Sequence, residues 1–166
     1  MSLMRILIFG AGGVGSVLGA FLARAGHDVS LVGRAAHMDA IKKRGLKVSG
    51  SWGSFCTKAF DLYTAMSEIS ESDSRFDIIF LTVKSHDTAK AVEALLPYIK
   101  EGVTLASFQN GVGNVEKKPG EVTVTMTTDA IAVTVNTIPG IKTNGSPNEI
   151  AKLLNEAGIA ARAASN

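Results

Sequence analysis

The segment Gly10-Ala11-Gly12-Gly13-Val14-Gly15 constrains this chain more than any other stretch. Before it lies a short apolar run, residues 4–9, in which only Arg5 is polar. After it, apolar residues recur at Val14, Val17, Leu18, Phe21 and Leu22. The run reads as a strand buried on both faces, and the spacing that follows reads as a helix stopped at Gly26. Glycines at 10, 12 and 15 fit G-x-G-x-x-G, a weak pattern alone and a strong one where a buried strand turns into a helix. Here Gly10 permits a tight turn, and Gly12 lets the backbone approach a pyrophosphate. Gly15 allows close packing of helix on strand, while amides at the helix N-terminus face the anion. A glycine-rich turn that binds nothing is the competing reading. The strand–turn–helix context favours dinucleotide binding.

The same alternation continues along the chain. Residues 29–32 read as a second strand and residues 35–44 as a helix closed by Gly45. Residues 46–48 and 54–60 read as two strands around a Gly50-Ser51-Trp52-Gly53 turn. The serine-rich stretch 67–75 reads as a loop or helix end. DIIFLTV, residues 77–83, is the strongest buried-strand run. An amphipathic helix over 86–99 follows, with Ala89, Val92, Leu95 and Leu96 on one side, and then a strand over 103–108. This order implies a parallel sheet with helices on both faces and right-handed crossovers, a doubly wound α/β fold of Rossmann type. The threonine- and valine-rich stretch 121–135 predicts an antiparallel or edge strand pair turning near Asp129. A loop over 137–147, a helix over 148–157 and a last strand over 159–163 complete the pattern. Residues 4–116 are expected to form the dinucleotide-binding domain, and residues 117–166 the remaining strands and helix of that domain.

Charge and cysteine content exclude several classes. Seventeen basic and 15 acidic residues leave a formal +2, which gives no reason to expect a nucleic-acid partner or a polybasic membrane surface. A single cysteine, Cys56, excludes an internal disulfide framework and a multi-cysteine zinc site, and fits a reducing cytoplasm. Four glycines between positions 10 and 15 break the apolar run 6–22, so it is not expected to be a secretory leader. No other run approaches the ~20 apolar residues of a membrane span. A cytoplasmic chain is expected.

Three further positions carry chemistry. An NAD-binding chain usually ends its second strand with an acid for the ribose hydroxyls; here Leu31-Val32-Gly33-Arg34 stands instead. The Arg34 guanidinium suits a 2′-phosphate, so NADPH is expected over NADH, against the reading of an exposed loop arginine. Lys84 follows DIIFLTV at the carboxyl end of a central strand, the edge where ligands of open α/β sheets gather; a solvated charge competes. Asn110, in Gln109-Asn110-Gly111-Val112-Gly113, could hold a ribose hydroxyl and a substrate oxygen together, and Asn-Gly also makes a turn. His27 reads as orienting a loop, and His37 and His86 lack partners at metal spacing, so no metal is expected. Cys56 reads as a small core or edge residue, Lys42-Lys43-Arg44 as a solvated helix face, and Asp87 and Glu93 as helix surface.

GAGGVG after the first strand, LVGR ending the second, TVKS after the central run and QNGVGN after the next resemble, in this order, the ketopantoate reductases. Those enzymes reduce 2-dehydropantoate to pantoate, a coenzyme A precursor, with NADPH. The resemblance implies that Gly10, Ala11, Gly12, Gly13, Val14 and Gly15 cradle the pyrophosphate. It further implies that Arg34 binds the 2′-phosphate, that Lys84 lies beside the cofactor and that Asn110 holds nicotinamide ribose and substrate. The expected partners are a small 2-keto acid and a second copy of the chain, as a homodimer. After Glu116 the pattern departs, because Lys117-Lys118-Pro119-Gly120-Glu121 follows directly, as though one helix and one strand were missing. The family's helical substrate domain has no counterpart here, and its catalytic lysine and carboxylate are expected beyond Asn166, so no catalytic residue is assigned. The chain is expected to be part of a longer reductase. The rival expectation is a non-catalytic dinucleotide-sensing module; such modules usually carry an acid where Arg34 stands.

Overall fold

The structure is a computed structural model that describes residues 2–50, 53–84, 87–100, 102–107, 122–126, 131–135, 147–159 and 161–163. Asn110, the 116–117 junction, the turn expected at Asp129 and the loop 137–146 lie outside the described residues.

Eight strands form one sheet in the order β10-β9-β8-β7-β6-β1-β2-β5. At its centre are β1 (Arg5–Phe9), β2 (Asp28–Val32), β6 (Ile78–Leu81) and β7 (Thr104–Ser107), all parallel. β5 (Asp61–Tyr63) adds in parallel at one edge. At the other end come β8 (Val122–Met126), β9 (Ile131–Val135) and β10 (Ala161–Ala163). β8 runs with β7, β9 runs against β8, and β10 runs with β9. Outside this sheet, β3 (Leu46–Gly50) and β4 (Gly53–Thr57) pair as an antiparallel hairpin.

The central strands are apolar on both faces because both are covered. Ile6, Ile8, Ile78 and Phe80 face one core with the helices α1 (Gly13–Arg24), α2 (Ala35–Arg44) and α4 (Pro147–Glu156). Leu7, Ile79, Leu81 and Leu105 face another core with α3 (Thr88–Leu95), Met66, Ile69 and Phe76. Each such side chain contributes about 1.5–3 kcal/mol by leaving water, so burial on two faces fixes the register. Handedness explains why α4 shares a face with α1 rather than with α3. Strands β9 and β10 point opposite to the rest, and reversing strand direction moves a right-handed crossover to the other face.

One strand had no counterpart in the sequence reading, and one expectation is corrected. β5 is a strand of the main sheet, in a stretch to which the sequence reading assigned no element. Three residues are too few for a period to register. The helix expected over 86–99 is α-helical over Thr88–Leu95 and closes with a 3-10 turn, Leu96–Tyr98. Pro97 has no N–H to extend the α ladder, and the tighter turn leaves Leu96 57% exposed, although the periodicity placed it on the buried side.

Among the described residues no helix is long and apolar enough to cross a membrane.

Candidate functional site

The chain runs from β1 outward through β2 to β5 and then returns to β6 on the opposite side of β1. That reversal opens a crevice at the carboxyl ends of β1 and β6, where ligands of doubly wound sheets bind. A cleft of about 620 Å³ occupies this place.

Gly10–Gly13 line its floor. Gly10 has φ +106°, a conformation that favours glycine, and a Cβ there would stand 2.7 Å from Val83 Cγ1. A Cβ on Gly15 would stand 2.5 Å from Thr82 Oγ1 and 2.7 Å from the Gly10 carbonyl. These two glycines are demanded by packing. Gly12 and Gly13 are not: a Cβ on Gly12 would meet nothing nearer than the Gly10 oxygen at 4.0 Å, and one on Gly13 nothing within 4 Å. Both open onto the cleft. Val14 turns its side chain against the core on the α1 face and takes no part in the lining.

Backbone hydrogen bonds settle which amides remain for a ligand. The Gly10 and Ala11 N–H groups both donate to the Val32 carbonyl, at 3.0 and 2.9 Å, and Gly12 N–H donates to the Gly10 carbonyl at 2.7 Å. The first bond of α1 runs from Ser16 N–H to the Gly12 carbonyl at 2.9 Å. The Gly13, Val14 and Gly15 amides fall before it and find no acceptor within the helix. Neither a side-chain cap nor an acidic residue occupies the first turn of α1.

At the end of β2, Arg34 is the N-cap residue of α2, extended in backbone and exposed in side chain. It lines the cleft, as does His37 one turn later. The His37 Nε2 lies 2.9 Å from Ser16 Oγ, and Ser16 is buried in α1. Gly33 precedes Arg34; a Cβ there would approach Met38 Cε to 2.9 Å and the Ala11 Cβ to 3.2 Å, so its bareness lets the two turns meet. Thr64, beyond β5, lines the cleft and gives both its N–H and its hydroxyl to the Glu68 carboxylate. Those two bonds hold Glu68 below its ordinary pKa.

From β6 come Thr82, Lys84 and Asp87. The Thr82 hydroxyl donates to the Gly10 carbonyl at 2.7 Å, and its N–H to the Phe9 carbonyl at 2.9 Å. The glycine turn is thus fastened to the ends of both neighbouring strands. Lys84 is exposed on the cleft wall. Asp87, read from the sequence as helix surface, is exposed and also lines the cleft.

The cleft therefore brings Gly10, Ala11, Gly12, Gly13, Arg34 and Lys84 together, while Asn110 lies outside the described residues. Sequence reasoning missed Thr82, His37 with Ser16, and Thr64. Thr82 alone had a signal, since it belongs to the TVKS stretch. Among the described residues no group of three His, Cys, Asp or Glu side chains could hold a metal.

The family model described as ketopantoate reductase PanE/ApbA matches residues 6–147. A 2-dehydropantoate 2-reductase of Pyrococcus horikoshii is 40% identical over 115 residues, which are 69% of this chain and 35% of that relative. The chain thus spans about a third of that protein's length. The solved 2-dehydropantoate 2-reductase of Geobacter metallireducens superposes with TM-score 0.73 at 27% identity, over 97% of this chain and 58% of the other. A D-mandelate dehydrogenase solved with NADH and anilino(oxo)acetate shares the fold, with TM-score 0.70 and 24% identity over 98% of this chain and 57% of the other. With its glycine turn, its β2 and β6 ends and most of its length inside the matched region, the chain belongs to the ketopantoate reductase family.

Proposed function

We propose that this chain serves an NADPH-dependent reduction of a small 2-keto acid, 2-dehydropantoate first among them, to the 2-hydroxy acid. The observation that carries the reading is the pair of open glycines. Among the described residues no atom requires Gly12 or Gly13 to lack a side chain, and both line a cleft at the N-terminus of α1, whose first amides have no acceptor within the helix. A pyrophosphate fits that cradle.

When bound there, NADPH supplies the hydride. The chain's own part is binding and orientation. The Gly13, Val14 and Gly15 amides receive the pyrophosphate, with Gly10, Ala11 and Gly12 shaping the turn beneath it. Arg34 pairs with the 2′-phosphate, an assignment supported by its place on the cleft and by the absence of an acid from Val32-Gly33-Arg34. Lys84 flanks the cofactor on the β6 side, and Asn110 holds nicotinamide ribose and substrate. Residues 4–116 carry the binding half of the domain, and residues 117–166 complete its sheet.

Titration with both cofactors tests the reading. NADPH should bind far more tightly than NADH, and Arg34→Ala should weaken NADPH about tenfold or more, the worth of a charge-assisted hydrogen-bonded pair, while leaving NADH unchanged. Equal affinities overturn the cofactor assignment. Consumption of NADPH on addition of 2-dehydropantoate tests the substrate. A chain that binds NADPH tightly and reduces no 2-keto acid would instead be a binding module.

A further inference from the structure

The geometry points to His37 as a second contact for the terminal phosphate of the cofactor, a specificity-determining residue beside Arg34. The inference rests on the NADPH reading and deepens it. Arg34 caps the start of α2 and His37 lies in its first turn, three residues on, and both line the cleft. The ring is held from behind. Its Nε2 is 2.9 Å from the hydroxyl of Ser16, which is only 4% exposed. Among the described residues no hydrogen bond engages Nδ1, so this is the ring atom left for a ligand.

Ser16 suits either charge state of the ring, because a hydroxyl both donates and accepts. With both ring nitrogens protonated, Nε2–H donates to Ser16 Oγ and Nδ1–H is a charged donor on a residue that lines the cleft. A ribose diol at that place would call for an acceptor such as a carboxylate. A charged donor next to a guanidinium calls for an oxyanion. Among the described residues, the charged groups that share the cleft with the ring are Arg34, Lys84 and Asp87; Asp39 lies two residues on in α2, and Glu68 is hydrogen-bonded to Thr64, which also lines the cleft. The facing stretch of α1, Gly13 through Leu22, carries no charge.

The test measures Kd for NADPH and for NADH at about pH 6 and about pH 8 in wild type, His37→Gln and Ser16→Ala. Since the 2′-phosphate itself takes up a proton near pH ~6, the informative quantity is the ratio of variant to wild type at each pH. His37→Gln should weaken NADPH about fivefold at the lower pH, as for an exposed charge pair, and less at the higher. NADH binding should stay unchanged, and Ser16→Ala should act in the same sense more weakly. An equal loss for NADH would make His37 merely structural, and a ratio that ignores pH would remove its charge from recognition; either result overturns the inference. If wild type binds NADPH no better than NADH, or Arg34→Ala changes nothing, the cofactor reading itself has failed.

Discussion

Two turns stand side by side on one edge of the sheet, and they are built in opposite ways. Both leave a buried strand, both enter a helix without a side-chain cap, and neither helix has an acid in its first turn. The β1–α1 turn is made of backbone: its glycines bring four amide or hydroxyl donors onto the Val32 and Gly10 carbonyls and leave the next amides bare. The β2–α2 turn is made of side chains, Arg34 exposed and His37 held by Ser16. A surface of bare amides accepts any ligand with a pyrophosphate and rejects any added side chain. A surface of guanidinium and imidazole can be retuned residue by residue. On the proposed reading, the first turn decides whether a dinucleotide fits, and the second decides which one.

The largest effect that could break this contrast is at Gly12. Gly12→Val should abolish measurable NADPH binding, because the branched side chain fills the space meant for the pyrophosphate. The fold should survive, since the added Cβ meets no protein atom closer than 4.0 Å. Unchanged affinity in a folded Gly12→Val protein would move the site elsewhere. Gly15→Ala tests the packing half of the same turn. Its methyl group would strike Thr82 Oγ1 and the Gly10 carbonyl, so the unfolding free energy read from urea titration should fall by about 1–3 kcal/mol, the usual cost of overpacking. A stable Gly15→Ala variant would show that the fastening to β6 is looser than its distances state.

The smallest effect is acid sensitivity at the opposite edge of the sheet, and it separates fold stability from the cleft. His27 is buried, its Nδ1 accepts from the Met4 N–H at 3.3 Å, and its Nε2 has no partner among the described residues. Burial lowers its pKa below 6.5, with Glu156 opposing in part. The unfolded chain therefore takes up the proton first, so this contribution is present above pH 6.5 and is lost as pH falls toward the folded value. Urea midpoints at about pH 7 and about pH 5.5 should show wild type losing more stability than His27→Gln. An equal loss in both would clear His27 of the effect.

Much of this was legible in the order of residues, and the gaps have physical causes. The central strands announce themselves because burial on both faces leaves continuous apolar runs, as in Ile78–Leu81. Strands β8 and β9 showed their alternation and are antiparallel as expected. The helix Ala35–Arg44 was legible to the residue, closed by Gly45 at φ +79°. Cys56, expected as a small core or edge residue, is exposed on the hairpin and not in the core, and Lys42, Lys43 and Arg44 are exposed. β5 and the end of α3 were not legible, one for want of length and the other because a proline acts through its missing N–H rather than through periodicity. In the cleft, Arg34 and Lys84 stood out because each lies just past the carboxyl end of a strand. His37 did not, since its partner Ser16 lies 21 positions away and only the packing of α1 beside α2 joins them.

The Val32 carbonyl has one more consequence. Because both Gly10 and Ala11 hang from that single oxygen, and Arg34 follows it by two residues, one peptide plane serves as the common origin for both turns. The spacing between the bare amides and the Arg34 backbone is thus set from one mark inside the sheet, and on the proposed reading the pyrophosphate and the 2′-phosphate of one dinucleotide are received by two turns that share that mark.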